Sequence, residues 1–300
     1  MAGLSEERLA PSNGIEIAYQ EVGDPAAEPL LLVMGLGTQM LGWDEELCEL
    51  LAGRGFRVVR FDNRDIGRST MLDEAGVPSR SDLFLGRRAR AAYLLPDMAA
   101  DAVGLMDHLG IESAHVVGAS MGGMIGQTIA IEHPTRLRSL TTMMSTTGDR
   151  SVGQMHPATM KALFGGPPAR TREEVVARAV RGYPVMGSPA FPADLAAVAE
   201  VAGLAYDRDH DDVGIARQAV ASVTSGDRTK LLRSVDVPTL VLHGLADTLC
   251  DPSGGRATAA AIPGAELVLI DGMGHNLPPG LWERIADHIA AVVRKGLDKP

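Results

Sequence analysis

Cysteine is nearly absent from this chain: Cys48 and Cys250 are the only two in 300 residues. Two thiols so far apart build no disulfide framework. Cys48 falls among Leu47, Glu49, Leu50 and Leu51 on a helical stretch and reads as a small buried hydrophobe, whereas Cys250 lies beside Asp247, near a candidate site. Long apolar runs are missing too, since none reaches the roughly 20 residues that span a bilayer. The opening residues, Met1 to Arg8, carry no basic segment followed by an apolar stretch, so no secretion signal is read and a cytoplasmic protein is the expectation. Positive charge is in deficit, with 28 Lys and Arg against 38 Asp and Glu, for a formal net charge of -10. Nucleic acids and anionic membrane surfaces need basic patches, so both are disfavoured as partners, and a strongly acidic substrate mildly so. The histidines show no His-Glu-x-x-His or paired spacing, and no metal site is expected. Internal repeats and low-complexity tracts are lacking as well.

What is present is an ordinary globular composition, 45% hydrophobic and 22% charged, in a chain long enough to bury a sizeable core. Strand and helix patterns alternate, which predicts a mostly parallel sheet with helices on its faces. Strands are expected over 14–22, 29–35, 57–61, 114–118, 137–144, 238–243 and 266–270, and helices near 43–53, 97–109, 121–132 and 281–294. Residues 64–95 read as an irregular polar connector, with Arg87, Arg88 and Arg90 on a solvated stretch. From Thr146 to Leu232 the alternation stops. Helical patterns at 172–181, 192–205 and 214–224 are separated by breaks such as Gly165-Gly166-Pro167-Pro168. The expected organisation is therefore a core of residues 1–145 and 233–300 with a helical cap, 146–232, inserted into it.

Gly118-Ala119-Ser120-Met121-Gly122 matches G-x-S-x-G. In a chain with 34 glycines the pentapeptide alone is weak evidence, but its context is specific. Ala114 to Val117 is a strand pattern leading in, and Met124 to Ala130 is a helical pattern leading out, as a nucleophile elbow requires. A serine on such a sharp turn needs small neighbours, and the helix N-terminus brings backbone N–H groups to the reacting centre.

A serine hydroxyl needs a positioned base. His275 sits in the Gly-rich stretch Asp271 to Asn276 just past a strand end, where open α/β sheets meet their ligands. His288 falls in the final amphipathic helix, and His243 lies at the end of its own strand and reads as structural. Asp247 and Asp251 both follow the strand that ends at His243. Asp247 is nearer the strand end and is taken as the acid, while Asp251, before Pro252 and Ser253, reads as an N-cap. The catalytic set is thus Ser120, His275 and Asp247, with Asp247 orienting the imidazole.

Acyl transfer also needs donors for the developing oxyanion. The backbone N–H groups of Met121 and Leu36 are the candidates, Leu36 because Met34-Gly35-Leu36-Gly37-Thr38 follows a buried strand and can bend toward the nucleophile. Met155, Met160, Phe164, Tyr183, Met186, Phe191 and Tyr206 are the larger residues of the cap, and some are expected to line an apolar pocket. Asp207 to Asp212 resembles the start of a calcium loop, but the turn glycine is missing and Gln218 stands where a bidentate Glu belongs, so it reads as a solvated cap loop.

Met34-Gly35, Gly42-Trp43, Arg60 to Thr70, Gly118 to Gly122 and Gly272 to His275 together resemble the α/β-hydrolase superfamily, most closely the branch of aclacinomycin methylesterase and related bacterial carboxylesterases. The resemblance spans roughly 14–145 and 235–295. It implies a cofactor-free acyl-enzyme mechanism with Ser120, Asp247 and His275 as the triad, acting on a small to medium, largely apolar ester. The same triad serves perhydrolysis, lactone opening and C–C bond hydrolysis, and a non-catalytic ligand-binding relative would share the fold.

Overall fold

A computed structural model describes residues 3–79, 91–166 and 169–297, apart from the side chain of Phe164. The Arg87, Arg88 and Arg90 cluster lies outside the described residues. Eight described strands form one sheet: β1 (Arg8–Ser12), β2 (Ile15–Val22), β3 (Glu28–Val33), β4 (Phe56–Phe61), β5 (Ala114–Ala119), β6 (Leu137–Met143), β7 (Thr239–Gly244) and β8 (Glu266–Ile270). Their order is β1-β2-β4-β3-β5-β6-β7-β8. β1–β2 and β2–β4 are antiparallel, and every pairing from β4 to β8 is parallel. The fold is that of an α/β hydrolase.

The helices are α1 (Glu45–Gly53), α2 (Leu95–His108), α3 (Met121–Glu132), α4 (Pro157–Phe164), α5 (Arg172–Met186), α6 (Leu195–Arg208), α7 (Asp212–Thr224), α8 (Ser253–Ala261) and α9 (Trp282–Leu297). Because side chains alternate across a strand, Leu31 and Val33 enter one core with Met98, Ala102, Ile125 and Ile129 of α2 and α3. Leu30 and Leu32 enter a second core with Leu47 and Leu51 of α1 and Ile285 and Ile289 of α9. Burial on both faces explains the continuous apolar runs of β3, β5 and β7.

Two elements escape the sequence pattern. β1 contains Pro11 and exposes Leu9, and it pairs only with β2, as suits a proline-bearing edge strand. α4 is a short helix ahead of Gly165-Gly166, too brief for a clear period. The polar connector is also corrected at its start: Arg64, Asp65 and Ser69 are irregular but buried, like Asp62 and Asn63 just before it. Arg64 makes a two-pronged pair with Asp101 on α2 (2.5 and 2.6 Å), and Arg217 on α7 does the same with Asp65 (2.8 Å each). Buried charges persist only when paired in this way, and such pairing leaves no trace in local sequence pattern.

Between β6 and β7 the described chain runs through α4 to α7 with no strand. No helix among the described residues is long and apolar enough to cross a membrane.

His115 of β5 is fully buried, with Nδ1 2.8 Å from Ser139 Oγ. Burial, aided by the nearby Arg138 charge, lowers its pKa from 6.5 to about 4. The folded protein therefore refuses a proton that the unfolded chain accepts, and stability is lost as pH falls from 6.5 toward about 4, by up to about 3 kcal/mol. His115→Gln should flatten the pH dependence of the urea midpoint across that window, and a slope equal to the parent's would contradict this account.

Candidate active site

The chain reverses its direction of winding between β3 and β5, which places a topological switch point, the usual ligand position in open α/β sheets, beside the end of β5. Ser120 occupies the turn from β5 into α3 with φ 55° and ψ -119°, a conformation costly for any residue with a Cβ. Its neighbours hold it there. Ser120 N donates to Met143 O on β6 (2.9 Å), and Ser145 Oγ donates to Ser120 O (2.8 Å). A Cβ on Gly118 would sit 2.1 Å from Gly122 O, and one on Gly122 would sit 2.0 Å from Val33 O. The two motif glycines thus let α3 close onto β5 and β3, and the turn is sharp because of that contact.

Gly35, just past β3, lies directly against the serine, since a Cβ there would be 3.0 Å from Ser120 Cβ. Its loop is tied at both ends. Asn63 Nδ2 donates to Met34 O (3.0 Å), and Gly37 N donates to Gln218 Oε1 on α7 (2.9 Å). Gln218 Nε2 in turn donates to Arg64 O (2.7 Å). Among the described residues, neither Leu36 N nor Met121 N donates to a protein acceptor, as oxyanion donors require.

Asp247 and His275 follow β7 and β8 on the same sheet edge. His275 Nδ1 is 2.7 Å from Asp247 Oδ2. Asp247 Oδ1 accepts from Leu249 N and Cys250 N, both at 2.9 Å. Burial alone would raise the Asp247 pKa, but hydrogen bonds from His243, His275 and Cys250 N outweigh it and hold the carboxyl well below the usual range. The carboxylate is therefore ionised at neutral pH. The structure joins Asp247 to His275 and brings Ser120 to the same edge; among the described residues Ser120 Oγ makes no hydrogen bond to His275.

The C-terminal end of α5 braces both loops. Its last carbonyls have no partner within the helix. Thr248 Oγ1 donates to Val185 O (2.9 Å), His275 N donates to Met186 O (2.7 Å), and Gly274 N donates to Ser188 Oγ (2.9 Å). Ser188 Oγ also donates to Asn276 Oδ1, whose amide donates to the Tyr183 hydroxyl.

Several sequence expectations are refined. His243, read as structural, lies 3.2 Å from Asp247 Oδ2. Cys250 acts through its backbone; burial pushes its thiol far up, and burial likewise raises Cys48 to about 12. Asp251 accepts from Ser253 N at the start of α8, although Pro252 is the residue at the cap position, and it also approaches His156. Of the larger residues between β6 and β7, Tyr183 reaches Asn276 and Phe191 packs on the second core. Met160 is half exposed, and the Tyr206 hydroxyl donates to Arg170 O. The Asp207–Asp212 stretch is not simply solvated: Asp207 pairs with Arg172, Asp211 caps α7, and Arg208 reaches inward to Asp62 and Glu7. No group of three or more His, Cys, Asp or Glu among the described residues could hold a metal ion.

A strained strand-to-helix elbow at the switch point of a mostly parallel sheet is the architecture of hydrolases of the open α/β class. Residues 28–279 match the model of the α/β-hydrolase fold family, and the chain belongs to that family. It is 30% identical to the rhodomycin D methylesterase DnrP of Streptomyces peucetius over 96% of this chain and 98% of that one. A 2-hydroxy-6-oxononadienedioate/2-hydroxy-6-oxononatrienedioate hydrolase of Cupriavidus pinatubonensis is 28% identical over 83% of this chain and 81% of its own. Among solved structures, the enol-lactonase of Burkholderia xenovorans LB400 is similar with a TM-score of 0.69 at 25% identity, covering 97% of this chain and all of that one. The chain is a hydrolase, and its likeness to the rhodomycin D methylesterases agrees with the methylesterase branch that its motifs resemble.

The elbow geometry yields a direct prediction. Gly122→Ala forces a methyl group into the Val33 carbonyl, so the urea midpoint should fall by the equivalent of about 1–3 kcal/mol, the usual cost of overpacking. A variant as stable as the parent would show that α3 can retreat from β3 at no cost.

Proposed function

We propose that the chain hydrolyses carboxylic esters through an acyl-enzyme, with Ser120 as nucleophile, His275 as base and Asp247 as its orienting carboxylate. The observation that carries this reading is the 2.7 Å contact between His275 Nδ1 and Asp247 Oδ2. With Nδ1 committed to the carboxylate, Nε2 is left as the basic nitrogen. Ser120 Oγ attacks the ester carbonyl carbon and its proton passes to His275 Nε2. The N–H groups of Leu36 and Met121 receive the oxyanion. The bond to the alkoxy oxygen then breaks as His275 returns the proton to the leaving alcohol. Water, deprotonated by the same nitrogen, attacks the acyl carbon and releases the acid and free Ser120. The transfer requires Ser120 Oγ within hydrogen-bond reach of His275 Nε2.

In this reading α4 to α7 form a cap, residues 146–232, over the catalytic edge. The bonds of Met186 O and Ser188 to the histidine loop and of Gln218 to the oxyanion loop support it. The methylesterase relatives support a methyl or other small alkoxy group as the leaving alcohol, and the acid is read from the cap's composition as small to medium and largely apolar. C–C bond hydrolysis is the second reading, favoured by the Cupriavidus relative.

A panel of methyl and aryl esters, lactones and β-diketones tests both. The wild type should turn over methyl and short aryl esters fastest, and Ser120→Ala should lose on the order of 10^4-fold or more in kcat. A folded wild type that cleaves β-diketones but no ester would replace the first reading by the second. A fluorophosphonate that labels wild type but not Ser120→Ala gives the nucleophile independently of the substrate.

Gln218 offers a separate check. Gln218→Leu removes both the acceptor for Gly37 N and the donor to Arg64 O and should lower kcat about tenfold or more while KM changes little, as expected for lost buried hydrogen bonds. A rise in KM alone would assign Gln218 to substrate contact instead of to the oxyanion loop.

A further inference from the structure

The acid of the proposed triad has a second histidine. His243, the fifth residue of β7, is completely buried, and its Nε2 lies 2.8 Å from Cys250 O and 3.2 Å from Asp247 Oδ2. Asp247 Oδ2 is the same oxygen that meets His275 Nδ1. A carbonyl oxygen only accepts, so the ring nitrogen 2.8 Å from Cys250 O must carry the proton. The other nitrogen agrees: His243 Nδ1 is buried without a partner, and a proton there would be a donor with no acceptor. The ring fits because residue 255 is glycine, where a Cβ would stand 2.5 Å from His243 Nδ1.

We infer that His243 is a positioning residue of the reaction: its Nε2–H, shared between Cys250 O and Asp247 Oδ2, fixes the acid loop and tempers the basicity of the carboxylate that His275 uses. The inference rests on the proposed triad.

The physical argument concerns competition for one oxygen. A carboxylate oxygen that accepts two N–H groups is a weaker base toward each than one that accepts a single donor. With His243 in place, Asp247 orients His275 and stabilises its charged form without holding it so strongly that the proton cannot be passed on. Without that donor, Asp247 attracts the His275 proton more strongly, and the imidazole stays protonated to higher pH. The loop also loses an anchor, since Cys250 O would be left without its donor while Cys250 N still bonds to Asp247 Oδ1. Other titratable groups around the pair, among the described residues, are few. They are the Cys250 thiol, Asp251 with its partner His156, and Tyr183, which reaches the histidine loop through Asn276.

The test compares His243→Leu, which removes the donor, with His243→Gln, whose side-chain amide can present an N–H near the position of Nε2. Two readouts are taken on each full-length protein: the pH profile of kcat/KM on an activated aryl ester, and the titration of His275 followed by NMR of histidine labelled with nitrogen-15. His243→Leu should lower kcat/KM by about ten- to a hundredfold, the loss that goes with one charge-assisted hydrogen bond, and move both the acidic limb and the His275 titration upward by about one pH unit. His243→Gln should restore both toward wild type. If His243→Leu does not fold, His243→Asn replaces it, because its shorter amide cannot reach the Nε2 position. A donor-less variant that keeps the wild-type limb and His275 titration overturns the inference. So does a loss of activity that His243→Gln fails to rescue while the His275 titration stays put, since that marks a packing role. The NMR titration needs no turnover, so it judges His243 even where activity on esters is lacking, an outcome that would instead count against the proposed function.

Discussion

Everything at the catalytic edge is arranged around one buried carboxylate. Asp247 has almost no access to water, and an ionised group in that position survives only if donors replace the solvent. Its two oxygens are supplied by two backbone N–H groups of its own loop and by two histidines, one on β7 and one on the loop after β8. The carboxylate therefore fixes more than an imidazole. It draws the loop after β7 into a tight turn and pins the loop after β8 against it. The backbone bonds from Leu245 N to Ile270 O and from Ala246 N to Met273 O close the same seam. Gly244 completes it, since a Cβ at that position would stand 2.1 Å from the Met273 carbonyl oxygen and any side chain would collide with it.

The Ser120 side, the proposed nucleophile, obeys a different constraint, steric and not electrostatic. Ser120 is held in a costly conformation by close backbone packing of α3 against β3 and β5, so the strain is borne by the sheet and not by a flexible loop. This division explains what local sequence can tell. The elbow is legible because its strand, turn and helix are contiguous and its glycines are mandatory. Asp247 and His275 are legible because each follows a strand that ends at the ligand edge. The supports are not. Gln218 meets Gly37 across 181 residues of sequence and Arg217 meets Asp65 across 152, and no periodicity records such pairings. His243 is hidden for a related reason: at the end of a fully buried strand, a histidine looks like packing until the next turn folds Asp247 back over it.

Buried polarity is the other feature that sequence conceals. The start of the 64–95 stretch, Arg64-Asp65, has the composition of a polar connector, and the charge pattern alone supports that reading. The partners that bury it, Asp101 and Arg217, are supplied by helices far along the chain. Ion pairs of this kind add little net stability, because desolvation offsets much of the attraction. What they do supply is register. A guanidinium gripping a carboxylate by two parallel bonds tolerates little sliding, so α7 can dock on the core in one position only.

That register has a consequence for how such an enzyme changes its substrate. On the proposed reading the helices between β6 and β7 shape the pocket, yet the same helices hold the machinery beneath it. α5 offers its terminal carbonyls to the acid and histidine loops, and α7 carries both the Asp65 clamp and the Gln218 bond to the oxyanion loop. Substitutions on the inward faces of α5 and α7 would therefore alter pocket shape and catalytic geometry together. α6 is freer over most of its length, since its hydrogen bonds to the core are concentrated at its last turn, through Arg208 to Asp62 and Ala205 O to Gln39. Its exposed Leu195, Val201 and Leu204 can vary without disturbing either loop. Sequence can thus drift along α6 at small cost to the proposed catalytic loops, whereas drift along α7 is opposed by the Arg217–Asp65 pair and by the Gln218 bond to Gly37.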